Sequence, residues 1–154
     1  MQHVLRISRK IDYGLRAMIY LASIPDGAVV PFREIARRMA VPEDFLAKIL
    51  KQLVDEELVR STRGPHGGYA LARAATDISF LAVIEAVEGP IALNVCLDDE
   101  GCSREGDCTM ASVWREGQEK MLEVYRQRKL ADIRLPGAAA DFVNLGGTQR
   151  LQIS

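Results

Sequence analysis

Apolar residues recur at three- and four-residue spacing from the start of the chain. Ile11, Leu15, Met18, Ile19 and Ala22 make one apolar face, with Ser8 placed to cap a helix that runs to about Ser23. Pro25-Asp26-Gly27 breaks this pattern, and Ala28-Val29-Val30-Pro31 reads as a short extended stretch. Phe32 to Met39 forms a second, shorter helix with Ile35, Ala36 and Met39 inward, followed by a tight turn at Ala40-Val41-Pro42. Glu43 to Glu57 predicts a third helix that buries Phe45, Leu46, Ile49, Leu50 and Leu53. The period then changes. Leu58 to Arg63 and Gly68 to Ala72 are extended runs around Gly64-Pro65-His66-Gly67, the composition of a hairpin tip. Ser79 to Val87 returns to helical spacing and stops at Gly89-Pro90. After an irregular stretch, Thr109 to Lys129 predicts a long helix. On it Met110, Trp114, Gly117, Met121 and Tyr125 fall on one stripe.

The expected fold is mainly α with a small β-hairpin wing: a winged helix-turn-helix followed by a long dimerisation helix. The boundaries that follow are 1–90 for the winged domain, 91–108 for a loop, 109–135 for the long helix and its following turn, and 136–154 for a mobile or weakly docked tail, rich in alanine and glycine. No internal repeat is present. No apolar run approaches the roughly 18 residues of a membrane span, and no signal peptide opens the chain, so a cytoplasmic protein is expected. The stripe of Met110, Trp114, Met121 and Tyr125 is too long to hide against a small winged domain. A partner helix, and hence a homodimer, is the expected cover.

Charge adds a direction. Net charge is −1, but residues 1–73 hold 12 Lys and Arg against 8 Asp and Glu, and residues 74–154 hold 8 against 13. The winged half is the one suited to phosphates. A recognition helix needs a polar outer face to enter the major groove, and the third helix offers Glu43, Lys48, Lys51 and Gln52. Lys48 and Lys51 suit phosphates; Glu43 and Gln52 suit base edges. The hairpin adds Arg60, Arg63 and His66 on a backbone kept thin by glycine, with Arg63 at a position suited to the minor groove. Taken singly, each item reads equally as a solvated face or a packing unit. Together, in this order, they point to a double-stranded DNA operator. No nucleotide loop, acid–base pair or second cofactor motif accompanies them, which argues against an enzyme.

Cys96, Cys102 and Cys108 are the only cysteines, spaced C-x5-C-x5-C, and an odd count argues against a disulfide framework. Structural zinc favours a closely spaced pair and four ligands, and the only histidines, His3 and His66, are distant in sequence. Loop thiolates at wider spacing suit the several metal atoms of an iron–sulfur cluster, and three unrelated thiols remain the alternative.

At these residues the chain resembles the Rrf-type family of iron–sulfur transcription regulators, with its IscR, NsrR and RirA types. The resemblance rests on Ser8-Arg-Lys-Ile-Asp-Tyr-Gly-Leu-Arg-Ala-Met, on the wing Arg63-Gly-Pro-His-Gly-Gly-Tyr69, on the cysteine triplet and on Leu-Ala-Asp-Ile133, spanning about residues 5–135. It implies a homodimer with paired long helices and a cluster near the interface that alters DNA affinity, most simply in a repressor. Signals of iron supply, oxidation or nitric oxide are then expected. IscR-like members carry a histidine three residues after the last cysteine, where this chain has Ala111. Their recognition-helix glutamate corresponds to Ala47, which implies a different base preference. NsrR-like members use an aspartate early in the first helix, donated by the partner subunit, and Asp12 matches that position. The implied ligand set is Cys96, Cys102, Cys108 and Asp12, on a four-iron rather than a two-iron cluster. The competing account has Asp12 only support the helix start, with the fourth site filled by water, a small thiol, Glu105 or Asp107. A cluster-free thiol- or ligand-sensing regulator on the same fold is the alternative function.

Overall fold

Helix α1 (Arg9–Ser23) begins where the Ser8 hydroxyl accepts the Ile11 N–H at 3.2 Å, and Asp12 adds a carboxylate to its first turn, where the helix dipole favours one. The computed structural model describes residues 7–98, 103 and 107–144. Its remaining elements are α2 (Phe32–Met39), α3 (Glu43–Asp55), β1 (Val59–Thr62), β2 (Gly68–Leu71), α4 (Phe80–Glu88), α5 (Ala111–Gln127) and α6 (Ala138–Asn144). Short 3₁₀ turns lie at Val95–Leu97 and Leu130–Ile133. The expected mainly α architecture with a hairpin wing is what forms.

The helix-turn-helix is closed by backbone geometry. Ala40 takes a left-handed conformation, φ 52°, which lets the N–H groups of Ala40 and Val41 both satisfy the Ala36 carbonyl. Helix α3 then starts behind Pro42 and drives Leu46, Ile49, Leu50 and Leu53 into the core. Phe45 does not join them, contrary to the sequence expectation: it is 49% exposed. It lies at the edge of the apolar face, where α1 covers only one side of the ring.

Strands β1 and β2 pair antiparallel, Val59 opposite Leu71 and Thr62 opposite Gly68. Val30 adds a single bridge to β2 through two 2.8 Å hydrogen bonds with Tyr69. This brings the Val30 carbonyl so close to Gly68 that no side chain fits there, and the wing is clamped to the entry of α2. Helix α4, capped by Ser79, packs across α1. At their crossing, a Cβ on Gly14 would stand 2.9 Å from Val87 Cγ2. Tyr20, 3% exposed, links α1 to α2 by donating to Glu34 Oε1 at 3.2 Å; burial, then the adjacent Glu34 charge, push its phenol up to about 12.

Helix α5 leaves the winged domain with no buried residue of its own. The chain then returns. Phe80 N–H donates to the Arg128 carbonyl and Leu130 N–H to that of Ile78, and Leu130 is wholly buried. The loosely held tail expected from Pro136 onward is revised for its first part. Leu135 N–H donates to Ser23 Oγ at 2.7 Å, and α6 places Phe142 in the core at 1% exposure. Residues 145–154 lie outside the described residues.

Candidate nucleic-acid interface and cysteine loop

The outer face of α3 exposes Glu43, Asp44, Phe45, Ala47, Lys48 and Lys51. Lys51 holds Asp55 at 2.8 Å along the same face, an exposed pair one turn apart that a phosphate could displace at small cost. Gln52 departs from expectation. Its amide is turned inward, donating to the Val87 carbonyl at 3.3 Å, and its Oε1 is buried without a partner among the described residues. The reason is positional: Gln52 lies on the flank of α3 that meets the C-terminal end of α4. In this arrangement it ties the recognition helix to its support instead of reaching outward.

The wing presents Arg60, Arg63 and His66, all exposed and none with a protein partner among the described residues. Gly67 N–H donates to the Gly64 carbonyl at 2.9 Å, which keeps the tip narrow. Two residues that sequence reasoning did not place here also belong to this surface: Lys10, which it passed over, and Phe45, which it assigned to the core. Lys10, from α1, and Phe45 line a 160 Å³ hollow together with Asp44, Lys48 and Ile49. Only the packing of α1 on α3 brings Lys10 there. The signal for Phe45 was its apolar character at the margin of a helix stripe, which sequence periodicity assigns to the core by default.

Asp12 pairs with Arg16 at 2.7 Å. Arg16 also donates to the Met39 carbonyl at 3.3 Å and stands 5.6 Å from the centre of the Tyr13 ring. Tyr13 in turn meets Phe45 edge-on, centroids 5.7 Å apart. Within one chain, therefore, Asp12 is engaged with the helix-turn-helix.

Of the three cysteines, Cys96 lies in the 3₁₀ turn Val95–Leu97 and Cys108 just before α5. Both are free thiols and half-buried. Cys102 lies outside the described residues, as does Glu105. The entry to the loop is tied to α5, where Gln118 Oε1 accepts the Leu93 N–H at 2.9 Å. Among the described residues no three His, Cys, Asp or Glu side chains gather as a metal site. On α5, Met110, Val113, Trp114 and Val124 are exposed at 61%, 69%, 40% and 54%. Met121 and Tyr125, also expected at a dimer interface, are half-buried against their own chain. Tyr125 packs on Phe80 at 5.2 Å, and Met121 and Tyr125 line a 590 Å³ groove with Ile7, Ile11 and Ile84.

Residues 7–134 match the family model described as Rrf2, iron-dependent transcriptional regulator. The chain belongs to the Rrf2 family. A Mycobacterium tuberculosis protein named as an HTH-type transcriptional regulator is 39% identical over 132 residues, covering 84% of this chain and 81% of that one. The HTH-type transcriptional regulator IscR of Sodalis glossinidius is 32% identical over 129 residues, covering 84% and 78%. Among solved structures, T. potens IscR superimposes with a TM-score of 0.69 at 31% identity, over 83% of this chain and 85% of that one. CymR, the global cysteine regulator of B. subtilis, also gives 0.69, at 30% identity over 84% and 95%. This Rrf2 family member is thus a transcriptional regulator, and its winged helix is the DNA-binding unit that the family implies. No helix among its described residues is long and apolar enough to cross a membrane.

Proposed function

We propose that this Rrf2 family member is a cytoplasmic, operator-binding repressor that acts as a homodimer and is controlled by an iron–sulfur cluster held on Cys96, Cys102 and Cys108. The observation that carries the reading is the position of the described thiols. Cys96 and Cys108 are free, half-buried, and bracket a loop tied to α5. That helix returns to the winged domain through Tyr125 on Phe80 and the Arg128 carbonyl. A change in the loop therefore has a short mechanical route to the recognition helix and wing. The donor set also suits such a cluster: thiols and carboxylates, with no histidine in the loop.

A four-iron cluster held on Cys96, Cys102 and Cys108 would leave one iron for an exchangeable oxygen ligand and would supply a centre open to oxidant or nitric oxide. Asp12 of the partner subunit is our candidate for that ligand. Reaching the loop requires it to leave Arg16, which would loosen the contact of Arg16 with Met39 and couple the loop to the helix-turn-helix. Dimerisation through α5 covers Met110, Val113 and Trp114, with Met121 and Tyr125 at the edge of the interface. Two winged domains then meet a pseudo-palindromic site.

A second reading keeps the fold and drops the cluster, leaving a thiol- or ligand-sensing regulator; the similarity to the cysteine regulator CymR favours it. Anaerobic purification with absorption spectra, iron and sulfide analysis and light scattering separates the two. The cluster reading expects a coloured dimer with near-equal iron and sulfide, lost in Cys102→Ala and made more labile in air by Asp12→Ala. A colourless, iron-free protein that binds its operator in response to thiol oxidation supports the second reading and overturns the first. An Asp12→Ala variant with unchanged iron content, spectrum and lifetime removes Asp12 from the ligand set.

A further inference from the structure

Beyond the carboxylates Glu43 and Asp44 and the cation Lys48, the outer face of α3 offers few hydrogen-bonding readers. Gln52 is committed to Val87, Ala47 has no polar atom, and Lys51 is paired with Asp55. Phe45 is the large apolar group on this face, 49% exposed in the first turn of the helix, the end that enters a major groove. An aromatic ring left half in water on a recognition surface is an informative departure from ordinary burial.

The ring is also held in place. Tyr13 abuts its edge at 5.7 Å, Arg16 covers Tyr13, and Asp12 and the Met39 carbonyl fix Arg16. Beside the ring lies the 160 Å³ hollow whose rim carries Lys10 and Lys48, together with the single carboxylate of Asp44. This hollow shares no residue with the groove that Met121 and Tyr125 line, so the face is separate from the one where α5 packs. Two cations astride an apolar contact match the chemistry of a groove edge: phosphates on either side of a base step, with an apolar group between. In the major groove the apolar group is the 5-methyl of thymine, which no other standard base carries.

We propose that Phe45 is a specificity-determining residue that reads a thymine methyl in each operator half-site, with Lys10 and Lys48 on the flanking phosphates. The proposal rests on the reading of α3 as the recognition helix. Burying one methyl group corresponds to about fourfold in affinity.

The test replaces single thymines of a selected operator with deoxyuridine, which removes only the methyl, and reads affinity by fluorescence anisotropy at fixed salt. One thymine per half-site should cost the wild-type protein about fourfold on replacement. Phe45→Ala should bind the thymine and uracil duplexes equally, and Phe45→Leu should keep part of the difference. Lys10→Ala and Lys48→Ala should weaken specific and random duplexes alike and lower the salt slope by about one unit each. An operator at which no thymine responds to deoxyuridine overturns the role of Phe45 while leaving regulation intact, as does a Phe45→Ala protein with the wild-type thymine preference. Failure to select any preferred duplex overturns both this role and operator binding.

Discussion

Arg63 and Lys51 are both cations on the proposed DNA surface, yet the structure assigns them unequal weight. Lys51 already holds Asp55 at 2.8 Å, with side chains 76% and 59% exposed. An exposed pair at this spacing stabilises by about 0.3–0.5 kcal/mol, and a phosphate contact must first displace it. Arg63 stands at the wing tip with no protein partner among the described residues, so its whole fork of donors is available to a groove. Arg63→Ala should therefore cost about 1–3 kcal/mol on the operator, about 5- to 150-fold. Lys51→Ala should cost less than about 1 kcal/mol, and should lower the salt slope by about one unit on every sequence alike. Anisotropy titrations on operator and random duplexes at several salt concentrations read both quantities. A larger operator loss for Lys51→Ala refutes the ranking. Equal losses on operator and random DNA for Arg63→Ala refute a reading role and leave only a phosphate contact.

Phe142→Ala should lower unfolding free energy by about 3–5 kcal/mol in urea titrations, because the ring is 1% exposed; a loss below about 1 kcal/mol would show that α6 contributes no packing. Ala40→Gly should stabilise the protein by about 0.5–1 kcal/mol, since it removes the left-handed strain at φ 52° against a modest gain in unfolded-chain entropy; destabilisation would mean the Ala40 methyl packs usefully. The raised Tyr20 phenol predicts stability that is complete below the ordinary value of 10.0 and lost as pH rises toward about 12, since the folded protein resists ionisation that the unfolded chain accepts. Tyr20→Phe should abolish that alkaline component in melting curves between these limits, and an unchanged pH profile would refute its assignment to Tyr20.

The order of elements was legible in the sequence because its signals are local. The Ser8 and Ser79 caps, the breaks at Pro25 and Gly89, and the change from helical to alternating period at Leu58 act through near neighbours along the chain. The wing cations and the cysteine triplet were legible for the same reason: composition and spacing place them without reference to any other element. Tertiary packing decided what lies at the edges of those elements. Helical periodicity marks Phe45 as apolar, but only the limited reach of Tyr13 leaves half its ring exposed. Gln52 is polar and looks outward on a sequence reading. The waiting Val87 carbonyl on α4 turns it inward. Lys10 joins the surface of α3 across the interface with α1, and Phe142 finds a core site against α1 although little in an alanine-rich segment marks it for burial. In each case the deciding partner is distant in sequence, and a single chain read in order carries no term for a contact between segments that only folding brings together.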